Sequence, residues 1–168
     1  MTSDLKCHAS PIFEAKVCDA HELLRRVALL PRPLVFTNGC FDILHRGHVT
    51  YLAQAQALGA SLIVGVNSDA SVKRLGKGGD RPINRWRDRM AVLAALESVS
   101  LVVGFEEDTP LELILSVKPD ILVKGGDWTP ENIVGAREVL AWNGTVHSIP
   151  FRFELSTSAT LEKIRNNG

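Results

Sequence analysis

The sequence lacks an excess of charge of either sign. Its 19 lysines and arginines balance 19 aspartates and glutamates, so the formal net charge is zero. Proteins that mainly bind nucleic acids or anionic membrane surfaces carry a basic excess, because phosphate groups attract cations. We therefore expect neither nucleic acid nor a membrane among the partners of this chain.

Cysteines and long apolar runs are also scarce. The three cysteines, Cys7, Cys18 and Cys40, are few and odd in number, which does not indicate a disulfide framework. No apolar run approaches the roughly 20 residues of a membrane span. The first residues lack the apolar block of a signal peptide. These absences predict a cytoplasmic protein.

The remaining composition is that of an ordered globular protein. Hydrophobic residues make up 45% of the chain and charged residues 23%, which are ordinary shares for a chain with a core. A length of 168 residues suits one domain. Little pattern is visible before residue 19. We predict an N-terminal arm over residues 1–18 and a single domain over residues 19–168.

Short apolar runs alternate with segments of helical periodicity. Five runs predict β-strands, at residues 34–37, 61–66, 101–105, 121–124 and 145–149. Their nearly continuous hydrophobicity is typical of strands covered on both faces. Alternating strands and helices predict an α/β three-layer sandwich with a five-stranded, parallel, Rossmann-like sheet and helices on both faces. Two more helices are predicted, one after Asp19 as its N-cap and one over residues 159–165.

The most informative segment follows the first predicted strand, where His45-Arg46-Gly47-His48 begins a helix. Ligands of open α/β sheets bind beyond the carboxyl ends of the strands. A helix N-terminus there presents unpaired N–H groups and a partial positive charge. Two imidazoles three residues apart would face the same anion and donate hydrogen bonds to it. This arrangement predicts a phosphate-binding site.

The same four residues resemble the His-x-Gly-His signature of the cytidylyltransferase-like nucleotidyltransferases. Four further blocks, at residues 37–42, 65–69, 81–84 and 123–127, are similar to the heptose 1-phosphate adenylyltransferase branch of that family. Cys40 stands where the glycerol- and choline-phosphate branches usually have threonine, which favours the heptose branch. The resemblance covers residues 20–165, and its blocks together are far more specific than one short motif.

The resemblance implies an enzyme that transfers AMP from ATP to D-glycero-β-D-manno-heptose 1-phosphate. The products would be pyrophosphate and ADP-heptose, which serves lipopolysaccharide core biosynthesis. It also implies Mg²⁺ held mainly by triphosphate oxygens, no protein metal ligands, and a homo-oligomer, either a dimer or a tetramer. One alternative is a cytidylyltransferase that acts on glycerol 3-phosphate or a related polyol or amino-alcohol phosphate. Another is a nucleotide-binding module without catalysis.

The resemblance also assigns residues to roles. His45, His48 and Lys77 would be catalytic, and Asp42, Lys73 and Lys77 would bind the sugar phosphate. Lys73 and Lys77 lie on a segment expected to be a mobile, glycine-containing loop. Arg89 would reach the β- and γ-phosphates. The residues expected to bind the nucleotide are Thr37, Asn38, Gly39, Cys40, Phe41, Asp42, Gly47, Asn67, Arg89, Lys124, Gly125, Asp127, Trp128, Ser156, Thr157 and Ser158.

Other interpretations of these residues stay open. Asp42 can support the loop by polar contacts, Cys40 can be a small buried residue, and Trp128 can serve packing alone. Cys40, Asp42, His45 and His48 also contain metal-ligand types, although no second Cys/His pair follows at zinc-finger spacing. The glycine signatures of P-loop kinases and dinucleotide dehydrogenases are absent. Neither of these two classes is supported.

Overall fold

The computed structural model describes residues 10–76, 81–153 and 156–166, which form an α/β fold around one parallel sheet. The strands are β1 (Val17–Cys18), β2 (Leu34–Gly39), β3 (Ser61–Asn67), β4 (Leu101–Phe105), β5 (Ile121–Gly125) and β6 (Thr145–Ile149). The α-helices are α1 (Leu23–Val27), α2 (Arg46–Gln56), α3 (Asp69–Arg74), α4 (Trp86–Ala94), α5 (Leu111–Val117), α6 (Ala136–Ala141) and α7 (Thr157–Asn166). Short 3₁₀-helices occupy Ile12–Lys16, Ala20–Glu22 and Pro130–Asn132.

Helices cover both faces of the sheet because successive strand side chains point to opposite sides. Leu34 and Phe36 of β2 pack in a core with residues of α1, α5 and α6. Val35, between them, faces a second core formed with residues of α2 and α4. All three β2 side chains are fully buried. The result is the predicted three-layer sandwich.

The strand order places a crevice at the centre of the sheet. The order is β1-β4-β3-β2-β5-β6, so β3 and β4 lie on one side of β2, whereas β5 and β6 lie on the other. The chain therefore leaves the carboxyl end of β2 toward β3 on one side, and leaves the carboxyl end of β5 toward β6 on the other, which opens a gap between β2 and β5. Ligands of such sheets bind at the point where the strand order reverses.

The predicted α/β class and all five predicted strands are confirmed, with ends within two residues of those expected. Sequence reasoning missed β1, in which Val17 pairs with Val102 and Cys18 with Val103. Two residues are too few to produce a periodic pattern. The domain boundary after residue 18 stays a prediction.

The helix after Asp19 exists, but its predicted cap is wrong. It begins as 3₁₀ and continues as α1, and the Asp19 side chain makes no cap hydrogen bond. Leu24, on α1, is 64% exposed. The last predicted helix is α7, which begins two residues earlier than expected. Within the described ranges, no helix has the length and apolar character needed to cross a lipid bilayer.

Candidate active site

The turn after β2 brings the backbone into a strained conformation. Phe41 has φ 45°, in the left-handed region that non-glycine residues seldom adopt. Its ring lies so close to Gly39 that a Cβ there would come within 3.0 Å of it. The same ring meets the edge of the His48 ring, at 5.4 Å between centroids. A side chain at position 39 would therefore crowd the Phe41 ring.

The two imidazoles of the signature lie together at the start of α2. The His45 and His48 rings stack with centroids 3.9 Å apart and planes 22° from parallel. A Cβ on Gly47 would come within 3.0 Å of the His45 ring, so glycine leaves room for it. Burial lowers the pKa of His45 and favours its neutral form. Its buried Nδ1 has no hydrogen-bond partner among the described residues.

Two helix N-termini converge near this pair. At the start of α2, His45 provides no side-chain cap. At the start of α7, the Ser156 hydroxyl accepts a hydrogen bond from the Ala159 N–H at 3.1 Å. The Thr157 hydroxyl donates to the Ile43 carbonyl at 3.4 Å, which ties α7 to the turn before α2. Two helix N-termini at one place attract an anion, because each presents free N–H groups and a partial positive charge.

A cavity of about 610 Å³ opens between these helix ends. Most of the predicted site residues line it, namely Asn38, Gly39, Cys40, Phe41, Asp42, His45, His48, Lys124, Gly125, Trp128, Ser156, Thr157 and Ser158. The structure adds three lining residues to which the sequence analysis gave no role: Tyr51, Arg81 and Phe151. Two of these three residues could have been proposed from the sequence. Tyr51 follows His48 by one helical turn, and Arg81 belongs to a block quoted for the resemblance.

Other predicted residues lie outside this lining. Thr37 is buried, with its hydroxyl 2.5 Å from that of Tyr51, and burial raises the pKa of Tyr51. Gly47 lies against the His45 ring. The residues that do not line the cavity are Thr37, Gly47, Asn67, Lys73, Arg89 and Asp127. Lys77 lies outside the described residues.

The Asp42 carboxylate is fully buried and already engaged by the protein. It accepts hydrogen bonds from Nε of Arg81 at 2.5 Å and from the backbone N–H groups of Ile83 and Asn84, both at 2.9 Å. The Asn84 side chain donates in turn to the Asp42 carbonyl at 2.6 Å. These contacts favour support of the loop over substrate binding as the role of Asp42. Its predicted sugar-phosphate contact stays a prediction.

The Arg89 guanidinium is also buried, with 2% of the residue exposed. It donates to the carbonyls of Cys40 at 2.5 Å, Asn67 at 2.7 Å and Asn84 at 3.1 Å. A fourth hydrogen bond reaches Oδ1 of Asp69 at 2.9 Å. The guanidinium thus joins the segments after β2 and β3 to the start of α4.

A second cavity of about 320 Å³ lies on the other side of the β2 end. It shares Asn38, Gly39, Cys40, Lys124 and Trp128 with the first cavity. The Lys124 ammonium group lies in this shared wall, 3.3 Å from Oδ1 of Asn38. The polar residues found only in the second cavity are Asn67, Asp108, Thr109 and Asn132. A ligand there would lie directly beside a ligand in the first cavity.

The mouth of the first cavity is aromatic. Trp128 and Phe151 are 48% and 47% exposed. The indole N–H of Trp128 donates to the Gly125 carbonyl at 3.2 Å. A Cβ on Gly125 would come within 2.7 Å of the Phe151 ring, which meets Tyr51 edge-on at 5.7 Å. These rings offer flat apolar surfaces beside the site at which a phosphate would bind.

The zinc interpretation finds no support in the structure. Across residues 10–76, 81–153 and 156–166, no three His, Cys, Asp or Glu side chains are grouped so that they could hold a metal ion. The carboxylate of Asp42 is already engaged by Arg81 and two backbone amides.

Comparison with known proteins supports the resemblance. The family model described as cytidylyltransferase-like matches residues 36–163. The chain is 57% identical to the D-beta-D-heptose 1-phosphate adenylyltransferase of Bordetella bronchiseptica, over 94% of this chain and 98% of that protein. It is 59% identical to the bifunctional protein HldE of Pseudomonas aeruginosa, over 80% of this chain but only 28% of that longer protein.

Solved structures agree with this assignment. The lipopolysaccharide core biosynthesis protein of Thermoplasma volcanium is 30% identical, with a TM-score of 0.57 over 70% of this chain and 94% of that one. The pantoate-beta-alanine ligase of Francisella tularensis is 14% identical, with a TM-score of 0.63 over 90% of this chain and 76% of that one, which shows a shared fold alone. The family model covers most of the chain, and the stacked imidazoles and paired helix ends lie within the matched region; the chain belongs to the cytidylyltransferase-like family.

Proposed function

We propose that the chain transfers the adenylyl group of ATP to D-glycero-β-D-manno-heptose 1-phosphate, with ADP-heptose and pyrophosphate as products. The observation that carries this proposal is the stacked pair His45 and His48 between two helix N-termini, in one cavity of about 610 Å³. The heptose assignment is supported by 57% identity to a protein named for that activity, which this chain matches nearly end to end.

The geometry suggests how the reaction proceeds. The triphosphate lies against the N-termini of α2 and α7, with its α-phosphate beside the two imidazoles. A phosphate oxygen of the acceptor attacks the α-phosphorus, the bond to the β-phosphate oxygen breaks, and pyrophosphate leaves with that electron pair. Imidazole and backbone N–H groups stabilise the negative charge that develops on the non-bridging oxygens. Catalysis then consists of positioning and electrostatic stabilisation, without a covalent enzyme intermediate.

The second cavity suits the acceptor. Its amide, hydroxyl and carboxylate side chains, from Asn67, Asp108, Thr109 and Asn132, can hydrogen-bond the hydroxyl groups of a sugar. Lys124 in the shared wall can neutralise charge on the acceptor phosphate and on the nucleotide. Lys73 and Lys77 remain proposed phosphate contacts, and in the structure Lys73 is exposed on α3.

The site suits a Mg²⁺ ion that is held by phosphate oxygens. Asp42 is the one carboxylate among the described residues lining the first cavity, and its oxygens are engaged by Arg81 and two backbone amides. Triphosphate oxygens would therefore supply most ligands of the ion, as they commonly do where Mg²⁺ binds nucleotides. When bound, Mg²⁺ would neutralise part of the triphosphate charge. The homo-oligomer and the cytoplasmic location also stay predictions.

A panel of substrates tests the proposal. Pyrophosphate release is measured with ATP, CTP and GTP, each combined with heptose 1-phosphate, glycerol 3-phosphate and other sugar and polyol phosphates. We expect turnover with ATP and heptose 1-phosphate. Turnover with CTP and glycerol 3-phosphate instead would assign the chain to the cytidylyl branch. Tight ATP binding without release for any acceptor would identify a nucleotide-binding module.

Replacing His48 tests the imidazole pair within the same assay. Loss of one preorganised donor typically costs about 10²–10³ in rate, so His48→Ala should lower kcat by that factor. The melting temperature should change much less than the rate, because His48 is only partly buried. His21→Ala is the matched control, since His21 is exposed and lies outside both cavities. An unchanged kcat in His48→Ala would remove this ring from the mechanism.

A further inference from the structure

We infer that Arg89 is a positioning residue: by holding the Cys40 carbonyl, it orients the Phe41 N–H toward the α-phosphate. This inference rests on the proposed function for the identity of the ligand. It differs from the sequence-based expectation, in which Arg89 contacts the β- and γ-phosphates directly.

Arg89 is poorly placed for direct phosphate contact. Only 2% of the residue is exposed, and it does not line either cavity. An arginine has five N–H donors, and the structure uses four hydrogen bonds to hold the guanidinium against three carbonyls and one carboxylate. Turning it toward the first cavity would break these bonds and leave buried carbonyls without a donor, which is costly.

The contact with Cys40 sets the direction of the next N–H group. A peptide unit is planar, and in the trans form its C=O and N–H point to opposite sides. The peptide between Cys40 and Phe41 is trans, since the cis bonds of the described chain are those before Pro33 and Pro82. Arg89, which is buried and lines neither cavity, holds the Cys40 carbonyl at 2.5 Å, so this carbonyl is directed at the protein interior. The Phe41 N–H therefore points to the cavity side.

The Phe41 N–H is also available to a ligand. None of the backbone hydrogen bonds between described residues outside helices and strands uses it. The left-handed conformation of Phe41 costs free energy and persists only when its surroundings impose it. Arg89 restrains the peptide before Phe41, and Asn84 restrains the one after Asp42 through its 2.6 Å bond to that carbonyl. Together they preorganise an N–H donor next to the stacked imidazoles.

The first test observes this N–H group directly and needs no turnover. The chain has six phenylalanines, so ¹⁵N-phenylalanine labelling gives few amide resonances, and Phe41→Tyr identifies the one from Phe41. On saturation with ATP alone, we expect the Phe41 amide proton to move downfield in the wild-type protein. In Arg89→Lys and Arg89→Gln the movement should be much smaller. Arg87→Gln, an exposed position on the same helix, should behave as wild type.

The second test separates positioning from phosphate contact by kinetics. A positioning role predicts that Arg89→Lys lowers kcat about 10²-fold, while the affinity for inorganic tripolyphosphate changes little. Lysine keeps the charge but cannot hold several carbonyls at once. Direct contact with the β- and γ-phosphates predicts the reverse, with near-normal kcat for lysine and weakened tripolyphosphate binding in Arg89→Gln.

Asp69→Asn distinguishes the two roles by the sign of its effect. Asp69 anchors the guanidinium at 2.9 Å and lines neither cavity. If Arg89 positions the loop, weakening one charged anchor should lower kcat about tenfold. If Arg89 binds phosphate, removing the competing carboxylate should tighten ATP binding. This variant and Arg89→Lys carry the test if Arg89→Gln fails to fold.

The outcomes separate this inference from the proposed function. If no acceptor supports turnover but the Phe41 amide responds to ATP in an Arg89-dependent way, the proposed function fails and the positioning role stands. If turnover occurs as proposed but the Phe41 amide shifts equally in wild type and Arg89→Lys, the positioning role is overturned. A Phe41 amide that does not respond to ATP in the wild-type protein also overturns it.

Discussion

The first cavity has two walls that are built on different principles. The polar wall is formed by Asp42 and Arg81, which line the cavity, together with Asn84 and Arg89, which are hydrogen-bonded to this segment but lie outside the lining. The Asp42 and Arg89 side chains are buried and held by directed hydrogen bonds of 2.5–3.1 Å. The aromatic wall comprises Tyr51, Gly125, Trp128 and Phe151, which touch mainly through ring faces and edges. Two of its rings are about half exposed.

This contrast matches the tasks proposed for the two walls. Stabilising a transition state requires donors fixed to within a fraction of an ångström, and a buried polar network supplies that precision when every member is paired. Binding a flat base requires apolar surface, with less demand on angle, since stacking tolerates a range of geometries. The polar wall should therefore be sensitive to isosteric changes that the aromatic wall tolerates.

The largest loss of stability is expected when the buried ion pair between Asp42 and Arg81 is broken. Asp42→Asn removes the charge that the Arg81 guanidinium faces, and this guanidinium is 7% exposed. Breaking a buried pair by neutralising one partner typically costs about 3–5 kcal/mol of stability. Urea denaturation should therefore show a much lower free energy of unfolding.

Asp108→Asn provides the matched control for that measurement. Asp108 forms an ion pair with Arg74 at 2.5 Å, but its side chain is 71% exposed. Exposed pairs contribute only about 0–1 kcal/mol, because water screens them. Equal losses in the two variants would contradict the idea that burial makes the polar wall rigid.

A smaller effect, on ATP affinity, is expected when the aromatic wall is changed. Phe151→Leu keeps an apolar side chain but removes the ring face, and stacking on a base is worth roughly 1–3 kcal/mol. ATP should bind about tenfold more weakly in this variant, whereas inorganic tripolyphosphate should bind as it does to wild type. Isothermal titration calorimetry measures both affinities. Equal weakening of both ligands would mean that Phe151 supports the phosphate site rather than the base.

The smallest effect on stability is expected at His45, which also lines the first cavity. Burial holds its pKa below the ordinary value of 6.5, so the unfolded chain binds this proton more readily than the folded chain. The contribution of His45 to stability is complete above pH 6.5 and is lost as the pH falls through that value toward the lowered pKa. Urea midpoints at pH 7.5 and pH 5.5 should differ less in His45→Gln than in wild type. An unchanged difference would contradict the lowered pKa.

The sequence predicted the sheet, and it predicted most of the residues that line the first cavity, for physical reasons. Buried parallel strands leave continuous apolar runs, and a helix start next to His45 and His48 is a local pattern. The polar wall leaves no such pattern, because Arg89 reaches carbonyls 49 and 22 positions away. The phosphate contact that the resemblance implies for Arg89 stays a prediction, whereas its hydrogen bonds to distant carbonyls are visible only in the structure. Phe151 was missed because Gly125, which its ring packs against, lies at the end of β5, far from it in the sequence.

The hydrogen bond from Thr157 to the Ile43 carbonyl spans 114 positions of the chain. The sheet needs nothing beyond β6, so a partly synthesised chain would already hold its complete scaffold while one side of the nucleotide pocket was missing. The chain would then become able to bind ATP only after the sheet has folded, when the last helix, of ten residues, packs against the turn before α2.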